Sequence, residues 1–408
     1  MRNIQVCEML RYVCFALALR EDSAMSLALA ASAASTAPPI RKPCLFETTN
    51  ALAHYTASLG FVRERLGRAI NVGHNEIIAT VVGVAAYDLS LGRFDRWVVH
   101  MAGLRDMIER QGGLETINSY PMRLAITWTE LVGSLRLDMP SPIAAALVDA
   151  TKGSLPKHEA SPALAWTVAV LQARSAPQQQ HHLLSDICRV LKSLSDLAQL
   201  FSGRDLSRWL DDSSLGEPLS IVLSEALALP RLGGIIPPPP PPRGGGDEEG
   251  DGDGNGASGV TAAAAEAAAV NLTIREVLRL TSLLLLVGPV DSFACNGDLA
   301  YNLRGRVPML LRDLEALQRE RPGAGWDWAV AGLEELELWV LVVGALAEVD
   351  GAEEKAWAVS RLRRVVRARR LGWDQVLDAL RQIAWFEEGV LAEGMEELRM
   401  EVEDVVVD

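Results

Sequence analysis

Paired cysteines are missing from this 408-residue chain. Cys7, Cys14, Cys44, Cys188 and Cys295 are scattered, and none sits in a C-x2-C pair. Structural zinc needs closely spaced thiolates, so a local zinc cluster is excluded, and an odd, dispersed set reads as reduced thiols in an intracellular compartment. Long apolar runs are missing too. No stretch reaches the ~20 residues of a bilayer span. "LWVLVVGALAEV" (338–349) is apolar all round but short, which predicts a buried core helix. "YVCFALAL" (12–19) is flanked by Glu8 and Arg11 before it and by Arg20, Glu21 and Asp22 after it, so it reads as an ordinary helix rather than a cleaved signal. There is no excess of positive charge. The net charge is −14, of which residues 233–271 carry −5 (six acids, one arginine) and residues 387–408 carry −8 (nine acids, one arginine). The remainder is nearly neutral and offers no global field to a polyanion. Alternating Val/Ile/Thr segments separated by turn signals are scarce, which argues against a β fold.

What is present is helical. Apolar residues make up 49% of the chain, enough for a substantial core at this length. Ala, Leu, Glu and Arg dominate the periodic segments. Helices are expected near 8–30, 48–68, 74–90, 93–111, 121–137, 141–150, 160–174, 181–201 and 205–210. A second set is expected near 272–286, 297–302, 307–320, 326–349, 352–370, 374–391 and 394–403, with local interruptions at Pro308, Pro322 and Gly344. Asp374 is the expected N-cap of "QVLDALRQIAWF". "GGIIPPPPPPRGGGDEEGDGDGNGASG" (233–259) cannot bury apolar surface and reads as a disordered insertion. The expected fold is therefore all-α: a large irregular multi-helix domain. Residues 1–44 form an N-terminal helix and flexible linker. Residues 45–233 and 263–408 are two parts of one helical domain, the second ending in an acidic tail. Residues 234–262 are the Pro/Gly/acidic insertion.

Catalytic and metal patterns fail on inspection. "DGDGNG" (251–256) puts Asp251, Asp253 and Asn255 at the first calcium-loop positions, but the twelfth, where a bidentate glutamate belongs, is Ala262. His181, His182 and Cys188 lack a second ligand pair. There is no H-E-x-x-H, G-x-S-x-G, Walker loop or dinucleotide-binding glycine pattern. No catalytic, cofactor-binding or metal residue is expected, and no cofactor. "RLRRVVRARR" (361–370) carries six arginines; helical spacing puts Leu362, Val365 and Val366 inward and most guanidiniums in solvent. A nuclear-import or anionic-partner patch is the alternative reading of that face.

"DRWVVHMAGLRDMIERQGGL" (95–114) is the most telling stretch. Trp97, Met101, Leu104 and Ile108 recur at helical spacing and form one buried stripe, with His100 at its flank. Gly112 and Gly113 supply a left-handed helix stop, and Gly103 is expected to let a neighbouring helix approach closely.

The same residues carry a resemblance. Trp97, His100, Met101, Gly103, Leu104, Met107, Gly112, Gly113 and Leu114 resemble the "W…HM-x-GL…M…GGL" motif in the helical regulatory domain of fungal zinc-binuclear-cluster transcription factors. "AITWTELVGSLRLDMPSP" (125–142) resembles the following "W-x-DL-x-G" and proline, through Trp128, Glu130, Leu131, Gly133, Ser134 and Pro140. Residues 61–97 and the segments "LELWVLVVGALAEV" and "LGWDQVLDALRQIAWFEEGV" are similar to flanking helices of that domain. These are packing motifs. The family's DNA-binding element needs six cysteines in two C-x2-C-x6-C halves, and this sequence does not contain them. The resemblance implies a nuclear, or alternatively cytoplasmic, regulatory domain that meets protein partners of the transcription machinery or a small-molecule effector. It implies no direct sequence-specific DNA binding by this chain and no membrane association. A helical interaction scaffold is the second reading, and an enzyme a distant third.

Overall fold

A computed structural model describes residues 21–36, 45–67, 75–151, 155–174, 184–202, 213–232, 255–290, 298–320, 326–387 and 390–403. The fold is all-α, as expected. The first helices among the described residues are α1 (Asp22–Ala33), α2 (Thr49–Gly67), α3 (Asn75–Ser90), α4 (Phe94–Gln111) and α5 (Tyr120–Leu137). It continues through α6 (Pro142–Thr151), α7 (Pro162–Arg174), α8 (Ser185–Phe201) and α9 (Ser213–Ala228). The long α10 (Asn255–Val290) follows, then α11 (Arg306–Glu320), α12 (Glu334–Ala347), α13 (Glu353–Arg369), α14 (Trp373–Ile383), α15 (Val390–Glu393) and α16 (Met395–Glu403). Between α1 and α2 lies a short antiparallel pairing of two-residue strands, Ser35 with Phe46 and Thr36 with Leu45. The expected linker thus brings its two ends together.

Several expectations shift. Helix α9 is not among the expected elements. Its Pro218 breaks the sequence pattern yet lies inside the helix, in the second turn, where it forgoes one intrahelical hydrogen bond. The expected helix at 297–302 is a series of turns. Residues 326–332 also turn before α12 begins: Asp327 accepts backbone N–H bonds from Ala329 and Val330 at 2.9 and 3.1 Å, and Gly332 has φ +66°. Helix α10 starts at Asn255, inside the segment expected to be insertion through 262. Asn255 and Gly256 therefore open a helix instead of continuing a calcium loop. Gly344 does not interrupt α12; a Cβ there would rest 3.4 Å from Val307. At α14 the N-cap is Gly372, not Asp374, and its N–H is taken by the side-chain oxygen of Gln375 at 2.9 Å. His181, His182, Cys7, Cys14, Cys44 and Cys295 lie outside the described residues.

One apolar core gathers residues from Trp128 to Val402, so helices before and after the insertion share an interior. At its centre α12 is buried on all sides. Trp339 is fully enclosed, and its indole N–H donates to the Ala384 carbonyl at 2.7 Å. A second core, built by α3, α4 and α5, holds Ile78, Trp97, Met101, Leu104, Ile108 and Ile126. Helix α1 docks beside it through Leu27 and Ala30 against Tyr55, Val84 and Tyr87. Ser58 Oγ donates to the Ser23 carbonyl at 2.7 Å across the α1–α2 contact.

The arginine run on α13 is not a free basic face. Arg361 and Arg369 both pair with Glu337 of α12, a buried carboxylate, and Arg361 also reaches Glu315 at 3.1 Å. Arg363 donates to the Glu401 carbonyl. Only Arg364, Arg367 and Arg370 are exposed. Sequence spacing places a side chain on a face, but it does not show that the neighbouring helix carries a carboxylate there.

Candidate functional site

The motif residues converge on one three-helix unit. Trp97 on α4 is buried, and its indole N–H donates to the Thr129 carbonyl on α5 at 3.1 Å. Its six-membered ring lies directly on Gly133: a Cβ at that position would come within 2.2 Å of Trp97 Cζ2. Gly133 is thus the close-approach glycine of the motif. Gly103 is not; it is exposed and a Cβ there would meet open space. With about 100° per residue, position 103 falls roughly a third of a turn away from the stripe of Trp97, Met101, Leu104 and Ile108. Met101, Leu104 and Leu114 are buried in the same core.

Helix α4 stops as the sequence implies. Gly112 has φ +103°, and the N–H groups of Gly112 and Gly113 close back on the Glu109 and Ile108 carbonyls. Gly113, φ +104°, leads into a single 3-10 turn at Leu114–Thr116. The second half of the motif is a capping device. Glu130, buried beside Trp128, accepts from Ser141 Oγ at 2.7 Å and from the Ala144 backbone N–H at 2.9 Å. A carboxylate on α5 therefore caps the N-terminus of α6. Burial pushes Glu130 up, and these two donors oppose the shift. Pro140 is exposed, and its carbonyl accepts from Ser134 Oγ at 3.3 Å.

His100 leads to a polar cluster that sequence reasoning missed. Tyr55 of α2 lies 2.9 Å from His100 Nε2 and donates its O–H to Asp88 Oδ2 at 3.0 Å. The phenol has one proton, so the imidazole N–H is the donor to the phenol oxygen. Arg96 sits 2.6 Å from Asp88 Oδ1, spans both oxygens of Glu47 at 3.1 and 3.2 Å, and stacks over the Tyr55 ring at 4.3 Å. Tyr87 completes the set by donating to Glu47. Asp88 has no exposed surface. Burial raises it to about 6 despite Arg96 and Tyr55, whereas burial and then Arg96 lower His100. Three helices and the Glu47 segment contribute to the cluster, so no local spacing announces it. It joins no nucleophile to a base; it clamps α2, α3 and α4.

This clamp gives a pH prediction. The Asp88 proton is held more tightly in the folded protein (about 6) than in the unfolded chain (3.8). Its contribution to stability is therefore full below about pH 4 and declines as pH rises to about 6. Lowered His100 acts in the opposite sense up to its unfolded value. Urea denaturation of the wild type and Asp88→Asn between pH 4 and 7 separates the two. The wild type's advantage over the variant shrinks through that window, by on the order of 2 kcal/mol. An advantage that grows with pH is the behaviour of a carboxylate governed by Arg96 instead.

Among the described residues, no group of three His, Cys, Asp or Glu side chains is placed to hold a metal ion, and no helix is long and apolar enough to cross a membrane. The class defined by this fold and motif is an all-α domain whose motif residues pack, cap and terminate helices. The family model described as the fungal specific transcription factor domain matches residues 3–135. The resemblance carried by the motif helix is thus borne out for that stretch, and it points to transcription regulation. The match takes in residues 3–44, which the sequence reading sets apart as helix and linker, and α1 is indeed packed on α2. It stops at 135, so the similarity seen near the C-terminus lies outside it. No curated protein and no solved structure matches the chain.

Proposed function

We propose that the chain is the regulatory part of a transcription regulator, working in the nucleus through protein partners or a small-molecule effector and making no sequence-specific DNA contact of its own. The observation that carries this reading is the family match over residues 3–135. Its motif residues form a rigid packing unit around Trp97 and Gly133. Three of the six arginines of the 361–370 run pair with groups inside the fold, which leaves Arg364, Arg367 and Arg370 as the exposed part of that basic face.

The test is transplantation. The full chain, fused to an unrelated DNA-binding domain in a fungal host, is expected to change the output of a reporter carrying that domain's site, upward or downward. The change disappears with Trp97→Ala or Trp339→Ala, which open the two cores. A folded, nuclear fusion that leaves the reporter silent favours the interaction-scaffold reading.

A further inference from the structure

A cleft lies apart from the motif residues. It measures about 620 Å³ and lies between α7, α8 and α9, bordered by the segment from Leu155 to Ala160. One side of α8 faces it: Cys188, Lys192 and Ser195 recur at helical spacing. Leu164 of α7 and Ile221 of α9 are buried and make its floor apolar. Glu225, one turn beyond Ile221, brings a carboxylate to that floor.

The charges are arranged asymmetrically. Asp196, also on the wall, is occupied by the His158 backbone N–H at 2.9 Å, a contact that pins the bordering segment to α8. Arg189 is paired with Asp186 at 3.1 Å. Lys157 and Lys192 line the cleft, are exposed, and make no ion pair among the described residues. Glu225 takes a hydrogen bond from Ser193, but its Oε2 is buried and has no partner. A buried acceptor left unpaired costs free energy, typically about 1–3 kcal/mol. Rotation about the terminal torsion of a glutamate is soft, so this oxygen is available to a donor entering the cleft. An acceptor at the floor, apolar walls and two free ammonium groups at the rim specify a ligand with the reverse order.

We propose that this cleft binds a small hydroxylated carboxylate with an apolar body, its carboxylate held by Lys157 and Lys192 and its hydroxyl donated to Glu225. The inference rests on the regulatory reading for its purpose: it names the chemistry of the effector. A site of this kind joins α7, α8 and α9, so occupancy stabilises their packing against the large core.

Calorimetric titration of the full chain with p-coumarate and p-hydroxybenzoate is the test. Both are rigid rods, so they lose little conformational freedom on binding. At least one is expected to bind saturably with Kd below about 1 mM. Lys157→Gln/Lys192→Gln, at exposed positions that leave the fold intact, weakens binding about tenfold or more. The methyl ester of p-coumarate suffers the same loss on the wild type. Cinnamate, which lacks the hydroxyl, binds more weakly to the wild type and equally to the wild type and Glu225→Leu. A thermal melt of each variant confirms that it is folded. If neither acid saturates the protein, or if the ester and the lysine variant bind as the parent pair does, the proposal is overturned. That failure leaves the reporter result untouched, while a silent reporter with intact binding removes the regulatory reading alone.

Discussion

Gly133→Ala is expected to destabilise the protein by about 3 kcal/mol, although alanine is the better helix former and the site is mid-helix. The added methyl would stand 2.2 Å from Trp97 Cζ2, and the atoms it meets belong to a rigid, fully packed indole. The ring has no free rotamer into which to retreat, because its N–H is committed to Thr129. Trp97→Ala removes the ring and its buried area, and costs about 3–5 kcal/mol. The two substitutions occupy the same space. The double variant is therefore expected to be more stable than the sum of the single losses implies, by at least about 1 kcal/mol. Urea denaturation monitored by circular dichroism reads all three. An additive cycle is incompatible with direct Trp97–Gly133 packing. His100→Gln, whose side chain only edges this core, is expected to be much milder.

The contrast between Gly103 and Gly133 shows where sequence stops being legible. The stripe of Trp97, Met101, Leu104 and Ile108 was readable because a single periodic face reports its own burial. Gly112 was readable because only a residue tolerant of positive φ ends a helix that way, and the structure gives it φ +103°. Gly133 and Trp97 are both named in the motif but their pairing is not, since they lie 36 positions apart in the chain. Helix α14 behaves in the same way. Val376, Leu380 and Ile383 are inside as their spacing demands and Leu377 is half-buried, but the N-cap is Gly372 and not Asp374, with the Gln375 side chain accepting its N–H. Polar clusters were the least legible. Tyr55, Asp88 and His100 come from three helices, and each alone looks like an ordinary surface or boundary residue. The same holds for the cleft: Lys157, Lys192 and Glu225 acquire meaning only once α7, α8 and α9 are side by side.

The strongest example joins the two halves of the chain. Asp138 ends α5 with φ +51°, a left-handed conformation that, glycine aside, asparagine and aspartate adopt more readily than most residues. Its carboxylate receives Arg279 of α10 at 2.7 and 2.9 Å and Arg306 of α11 at 2.5 Å. Its carbonyl accepts from Arg231 Nε at 2.7 Å. Arg279 has no exposed surface and is also held by both oxygens of Glu276 at 2.9 Å, and Arg306 reaches Glu276 at 2.7 Å. Two carboxylates and two guanidiniums thus lock the end of α5 to helices beyond the proline-rich segment. Burial alone would raise Asp138, but Arg279, Arg306 and Arg231 overcome it and hold it at about 2.

Asp138→Asn is expected to cost about 3–5 kcal/mol, because it keeps the backbone conformation and the size of the side chain while leaving Arg279 without half of its counter-charge in a dry interior. Asp138→Gly relieves the positive φ, but it removes the same charge and should be no more stable than the asparagine variant. If glycine rescues stability, backbone strain and not the ion network governs the position. The pH dependence separates the same alternatives. A carboxylate whose folded value (about 2) lies below its unfolded value (3.8) contributes stability that is complete above about pH 4 and is lost as pH falls toward 2. Acid denaturation of the wild type should therefore steepen below pH 4, and Asp138→Asn should lack that component while its profile above pH 5 runs parallel to the parent. Arg279→Met tests the other side of the network. It leaves Asp138 facing Glu276 with only Arg306 and Arg231 as counter-charges, so Asp138 becomes easier to protonate. That variant should be least stable near neutral pH and should regain part of its loss as the pH is lowered to about 4. A loss that is independent of pH would place the cost in lost packing of the arginine stem and would rule out the ion network as the link between α5, α10 and α11.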